Sequence, residues 1–286
     1  MKNIKQITLT LVAIITLTFN IFGQSKSTVA PNPYNIEFNN QERTDFIIDK
    51  YDPYLKALDL GVSVLVVKDK KMTVSSSGNY DLNENSVFNI GSATKKFTAI
   101  LLLQEVEKGN IKLSDKISQY LSPIKNVDGN LTIETLLRHR SGLGELVGRN
   151  IEQLFFEKSD SIYQTNFLDK IPVGDSELIG KYDYCNTNYF LLGYILEKVT
   201  DQSYFDLVKE RIFIPCEMTH SYPYISKSIQ NLAHPTYHGQ DVYENIDHRF
   251  FANLAFAAGS IASTLPDIAK FYEHTFEKYT LIRIWQ

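Results

Sequence analysis

Cysteine is almost absent from the chain: Cys185 and Cys216 are the only two among 286 residues. Two isolated cysteines make no disulfide framework in a domain of this size; an oxidising compartment would let them pair, and two separate buried thiols are the expected state. Metal ligands at a workable spacing are lacking too. His234 and His238 are four apart, but Pro235 breaks any helix that would aim them at one ion, and His220, His248 and His274 have no evident partners. No metal and no other cofactor is expected. Basic residues do not outnumber acidic ones: 29 Lys and Arg stand against 33 Asp and Glu, a net charge of −4, which disfavours a nucleic-acid partner. There is no internal repeat and no low-complexity tract. The uncharged apolar run from Ile7 to Phe22 falls short of the roughly 20 residues of a comfortable membrane span.

That run matches a secretory signal peptide instead. Lys2 and Lys5 precede it and the polar Gln24-Ser25-Lys26-Ser27 follows, so residues 1–23 are expected to be removed near Gly23. Cleavage takes away two lysines and no acid, making the mature chain more acidic still. No cysteine lies at the cleavage point to take a lipid. These features predict a periplasmic or secreted protein with no stable membrane span after cleavage, an uncleaved anchor being the alternative. Residues 24–39 read as a polar linker, and residues 40–286, in a chain that is 43% hydrophobic and 22% charged, can bury a sizeable core.

Phe46, Ile47, Tyr51, Tyr54, Leu55 and Leu58 fall at helical spacing, predicting a helix bent or broken near Pro53. The β-branched run Gly61 to Val67 predicts a buried strand, which Lys68-Asp69-Lys70-Lys71 turns into Met72 to Ser76 as a hairpin. The turn has no glycine, so any positive φ must fall on Asp69 or Lys70. From Asn110 to Phe256 the spacing is mostly helical, with helices expected at 133–138, 150–156, 188–199 and 204–212. In the last substantial segment, Ala257 to Phe271, Thr264 and Asp267 make a capping box around Pro266.

The stretch Phe88-Asn89-Ile90-Gly91-Ser92-Ala93-Thr94-Lys95-Lys96-Phe97 organises the rest. It runs into the apolar Thr98 to Val106, a helix buried nearly all round that should end at Gly109 with a left-handed cap. Residues three apart on a helix share a face, so Ser92 and Lys95 can touch. Unpaired N–H groups and the dipole at a helix start disfavour an ammonium ion and help a neutral Lys95 take the serine proton. Lys96 reads as a solvated neighbour.

A second polar triplet, Tyr184-Cys185-Asn186, precedes Thr187-Asn188-Tyr189-Phe190-Leu191-Leu192-Gly193. Here the chain resembles the serine β-lactamase-like family, in its class C β-lactamase, D-alanyl-D-alanine carboxypeptidase and related esterase branch. Gly61 to Lys68, Asn110 to Asp115, Leu136 to Leu143, Pro215 to Thr219 and Ala258 to Phe271 agree with it in order. The resemblance implies an α/β (α+β) fold of the β-lactamase/transpeptidase type: an antiparallel sheet flanked by helices, plus a mostly helical subdomain over about residues 92–256. It implies that Ser92 is the acylated nucleophile, that Lys95 and Tyr184 share the proton transfers, and that Asn186 binds the substrate amide and Lys95. Tyr184 can act as a base only where a cation such as Lys95 stabilises its anion. His139 is expected to bond the backbone.

The family's third motif, a lysine- or histidine-threonine-glycine on a strand, has no match after Phe271. Residues 40–286 are therefore expected to be an incomplete domain lacking the C-terminal strands of the sheet. The function implied is a monomeric serine hydrolase acting through a Ser92 acyl-enzyme on a small-molecule or peptide substrate: a β-lactam, a D-alanyl peptide or a small ester. The alternative is a truncated, catalytically silent fragment that binds cell-wall peptides.

Overall fold

The computed structural model describes residues 40–68, 70–147, 167–237, 240–245 and 248–278. The expected signal peptide, the expected linker and the helix expected at 150–156 lie outside them. The described residues form two compact units, one ending at Ser86 and the other beginning at Val87. Helices and small antiparallel sheets make this a mixed α/β protein. Among the described residues no helix is long and apolar enough to cross a membrane.

The first unit consists of α1 (Asn40–Ala57), β1 (Gly61–Lys68) and β2 (Lys71–Gly78). Of the two outcomes expected at Pro53 a break is not what forms: α1 runs through the proline and gives up one backbone bond there. Asp59 takes φ 54 and Leu60 N–H reaches Leu55 O at 2.8 Å, ending the helix in a left-handed turn. The strands pair antiparallel with Gly61 opposite Gly78 and Lys68 opposite Lys71. Lys70 sits at φ 61, as the missing glycine required. The apolar β1 is half-buried rather than buried. Among the described residues of this unit only α1 packs on the two-stranded ladder, and β2 meets that helix through hydroxyls: Ser75 donates to Thr44 at 2.8 Å and Ser77 to Asp52.

In the second unit β3 (Phe88–Asn89) leads through a 3₁₀ turn, Gly91–Ala93, into α2 (Thr94–Glu107). Gly109, at φ 78, follows the helix as expected. Next come α3 (Ile133–Leu137), α4 (Asn186–Thr200) and α5 (Tyr204–Val208), the last continued by a π turn over Lys209–Phe213. Then β4 (Ser221–Tyr222), β5 (Thr236–Tyr237), β6 (Gln240–Asp241), α6 (Val242–Asn245), α7 (His248–Gly259), β7 (Ala262–Ser263) and α8 (Leu265–Lys278) complete the unit. β7 lies between β3 and β4, antiparallel to both. Two-residue strands give no alternation to read, so β4 to β6 were invisible in the spacing.

The core gathers around α2, against which α4 and α7 pack. Phe97 stacks on Phe271 with centroids 3.9 Å apart, and Phe256 of α7 sits among Phe190, Tyr194, Tyr204 and Phe205. The α4–α7 approach leaves no room at Gly193: a Cβ there would lie 2.5 Å from the Phe256 ring and 2.6 Å from Ala257 Cβ. Glu105, buried near the end of α2, accepts from Lys108 and Asn110 at 2.7 Å and from Arg211 of the π turn. Burial pushes its carboxyl up, but these donors outweigh that and hold it below the usual range.

Half of the expected capping box forms. Asp267 N–H donates to Thr264 Oγ1 at 3.4 Å, whereas the Asp267 carboxylate accepts from His220 N–H at 2.6 Å, Ser221 Oγ at 3.0 Å and Lys270 Nζ at 2.9 Å. It ties α8 to the β4 strand instead of closing on its own helix. Neither cysteine is in a disulfide, and both are buried. A thiol reagent should titrate two groups per chain in denaturant and react slowly with the folded protein; fast reaction of the native chain would contradict the burial.

Candidate active site

The residue before the helix does most of the positioning. Asn89 Oδ1 accepts from Gly91 N–H at 3.2 Å, and Asn89 Nδ2 lies 3.1–3.2 Å from the carbonyls of Gly259, Ser260 and Ile261. Gly91 takes φ 50, a left-handed conformation that suits glycine, and the 3₁₀ turn then swings Ser92 to the surface while Lys95, at 6% exposure, is buried.

The structure brings together all four residues singled out in the sequence. Tyr184 OH donates to Ser92 Oγ at 2.7 Å, and Lys95 Nζ lies 3.1 Å from the same oxygen. Lys95 Nζ also donates to Asn186 Oδ1 and to Ala258 O, each at 2.7 Å. Tyr184 OH is 3.4 Å from Asn186 Oδ1. The Ala258 carbonyl reaches this place because the chain kinks in α7, where Phe256 adopts φ 35, ψ −132. Such a conformation costs a non-glycine residue roughly 1–3 kcal/mol and persists only where packing over-determines it, as the aromatic cluster around Phe256 does.

The three acceptors fix how Lys95 can lose a proton. Asn186 Oδ1 and Ala258 O can only accept, so the two N–H groups of a neutral Lys95 point at them and its lone pair is left for the Ser92 hydroxyl. Burial brings the Lys95 ammonium down to about 8, against the opposing pull of Glu145 and then Cys185. At pH 7 roughly one lysine in ten is therefore neutral. Tyr184 moves the other way. Burial pushes its phenol up, the hydrogen bond with Ser92 only partly opposing it. Lys95 Nζ lies over the Tyr184 ring, 5.1 Å from its centroid, and not against its oxygen. The resting site therefore holds a neutral tyrosine and a lysine close to its titration point.

The sequence model of the family described as Beta-lactamase matches residues 56–283. The chain belongs to the β-lactamase family. It is 28% identical over 180 residues to a Bacillus subtilis (strain 168) protein named as a penicillin-binding protein, PbpX, covering 60% of this chain and 44% of that protein. The chain thus spans less than half the length of the curated relatives it matches. Among solved structures, a D-amino acid amidase from Ochrobactrum anthropi SV3 superposes with a TM-score of 0.67 at 26% identity, over 81% of this chain and 70% of that one. A class C beta lactamase does so with a TM-score of 0.63 at 20% identity, over 85% and 67%; at that identity the likeness concerns the fold alone.

Two further residues complete the site in this β-lactamase-family chain. His139 Nδ1 accepts from Cys185 N–H at 3.2 Å and its ring stacks on Tyr184 at 4.5 Å. It bonds the backbone as expected and supports the tyrosine, and burial together with the Lys95 charge lowers its pKa. Glu145 was not anticipated. Its Oε2 accepts from Asn186 N–H at 2.7 Å and Nδ2 at 3.2 Å, and its Oε1 from Val147 N–H at 2.7 Å. The available signal was an acid following Gly142-Leu143-Gly144, a glycine-spaced loop that can come close to its neighbours.

Proposed function

We propose that this protein is a serine hydrolase that forms an acyl-enzyme through Ser92 on a β-lactam, a D-alanyl peptide or a small ester. One observation carries the reading: the exposed Ser92 Oγ sits within hydrogen-bond reach of two proton carriers, the exposed Tyr184 OH at 2.7 Å and the buried Lys95 Nζ at 3.1 Å. Ser92 Oγ attacks the substrate carbonyl carbon while its proton passes to neutral Lys95. The Ser92 N–H lies in the first turn, where amides lack intrahelical acceptors, and stabilises the oxyanion. As the tetrahedral adduct collapses, the bond to the leaving nitrogen or oxygen breaks and that atom takes a proton from Tyr184, leaving a tyrosinate that the nearby Lys95 ammonium stabilises. Water then releases the acyl group from Ser92 by the reverse transfers. Asn186 keeps Oδ1 on Lys95 and one N–H on Glu145, leaving its second N–H for the substrate carbonyl.

Two of the relatives, named as a penicillin-binding protein and a D-amino acid amidase, support an amide or lactam carbonyl over an ester. The segment from Ile7 to Phe22 supports export, so the substrate is one met outside the cytoplasm. Incubation with a fluorescent penicillin and, separately, with a fluorophosphonate should give a mass adduct on the Ser92 peptide that Ser92→Ala abolishes. Folded protein that neither probe labels, or labelling that survives the substitution, would sink the reading.

A further inference from the structure

We infer that Glu145 is a positioning residue of this site: by accepting from Asn186 N–H and Nδ2, it fixes the Asn186 amide with Oδ1 toward Lys95, and so orients the lysine on Ser92. An asparagine amide can sit in two orientations, and only one serves here. Turned over, Nδ2 would meet Lys95 Nζ, donor against donor, and Oδ1 would meet the Glu145 carboxylate, acceptor against acceptor. Glu145 can only accept while ionised, so its Oε2, 3.2 Å from Nδ2, excludes the turned amide. Lys95 is thereby assured of an acceptor at 2.7 Å, which with Ala258 O leaves its lone pair on Ser92.

The carboxylate is itself held on both oxygens. Val147 N–H occupies Oε1, and the loop is stapled to the start of α4 by Leu146 N–H on Thr187 Oγ1 at 2.8 Å and Thr187 Oγ1 on Gly144 O at 2.7 Å. No ion pair holds Glu145 among the described residues, so its charge is felt at Lys95. The titratable groups facing Lys95 are Glu145, whose charge favours the ammonium, and the Cys185 thiol, which burial keeps protonated, with Tyr184, Tyr189 and the His139 ring around it. The bland alternative is that Glu145 merely caps α4, an acid at a helix start.

The inference rests on Ser92 being the acylated residue, and a double-mutant cycle separates the two roles. Glu145→Gln is expected to lower the rate of Ser92 labelling about 10–100-fold and to move its acid limb to lower pH, because the charge that favours the lysine proton is gone. On an Asn186→Ala background the same change should cost nothing further in rate. A loss equally large on both backgrounds, or none on the wild-type background, would overturn the inference. Glu145→Asp, which keeps the charge, should keep the limb near its original pH. NMR of carbon-13-labelled lysines reads the Lys95 midpoint without turnover: it should fall in Glu145→Gln, and an unchanged midpoint overturns the inference even if neither probe labels the wild-type protein. Failure of wild-type labelling alone counts against the acyl-enzyme reading and leaves this measurement decisive.

Discussion

Replacing Lys95 with alanine is expected to slow acylation of Ser92 by about 10²–10⁴-fold, the usual contribution of a positioned general base. Burial carries the price of that base in advance, since the ammonium is already pushed down to about 8. The sign of the pH dependence follows. A lysine with a lowered pKa is the active base only when neutral, so wild-type labelling should rise with pH through a midpoint near 8 and level off above it. Lys95→Ala should lose that limb along with the rate, since among the described residues no group of similar pKa touches Ser92 Oγ: Tyr184, the other partner, is shifted upward by burial. The measurement is the second-order labelling rate from pH 6 to 10, beside thermal unfolding to show that the variant folds. A variant that keeps a limb near 8 would assign the titration to another group and remove Lys95 from the role of base.

Ser92 and Lys95 were legible because a helix repeats every 3.6 residues, and the two are linked by that local geometry alone. Tyr184 and Asn186 lie about ninety residues further on, and only the ordered motifs around them placed them at the same site. Glu145 left no such trace. It acts on the Asn186 amide across a loop, and no spacing along the chain encodes that meeting. The kink at Phe256 was equally hidden, because a positive φ on an aromatic residue runs against local preference and is imposed by the rings packed around it. The burial of β1 was overread for a related reason. A β-branched run reports a strand, but how deeply it is buried depends on how many layers cover it, and among the described residues of its unit there is one helix. Gly193, by contrast, made sense of its motif: the leucine-glycine pattern marks where α4 must let α7 come close.

Gly142 joins fold and site, and Gly142→Ala is expected to damage both. The residue sits at φ +65, and a Cβ there would lie 2.3 Å from Asp175 O and 3.2 Å from Ile179 Cγ1. The first contact is with backbone, so rotating a side chain cannot relieve it. Asp175 N–H also donates to Gly142 O at 2.8 Å, which fixes that neighbour where the methyl would have to go. A left-handed alanine costs roughly 1–2 kcal/mol, and overpacking typically adds about 1–3 kcal/mol. In a domain of this size the loss should appear as a fall in Tm of roughly 5–15 °C. The methyl also pushes on the loop that delivers Glu145 to Asn186, so the fraction that still folds should label more slowly than wild type. Gly109→Ala is the control. Gly109 takes φ 78 with nothing within 4 Å of an added Cβ, so it isolates the conformational cost, and its fall in Tm should be the smaller one with labelling intact. Equal losses from the two substitutions would mean that the contact with Asp175 O is absorbed by movement of the loop, and that the path from Gly142 to Glu145 is softer than the close packing implies.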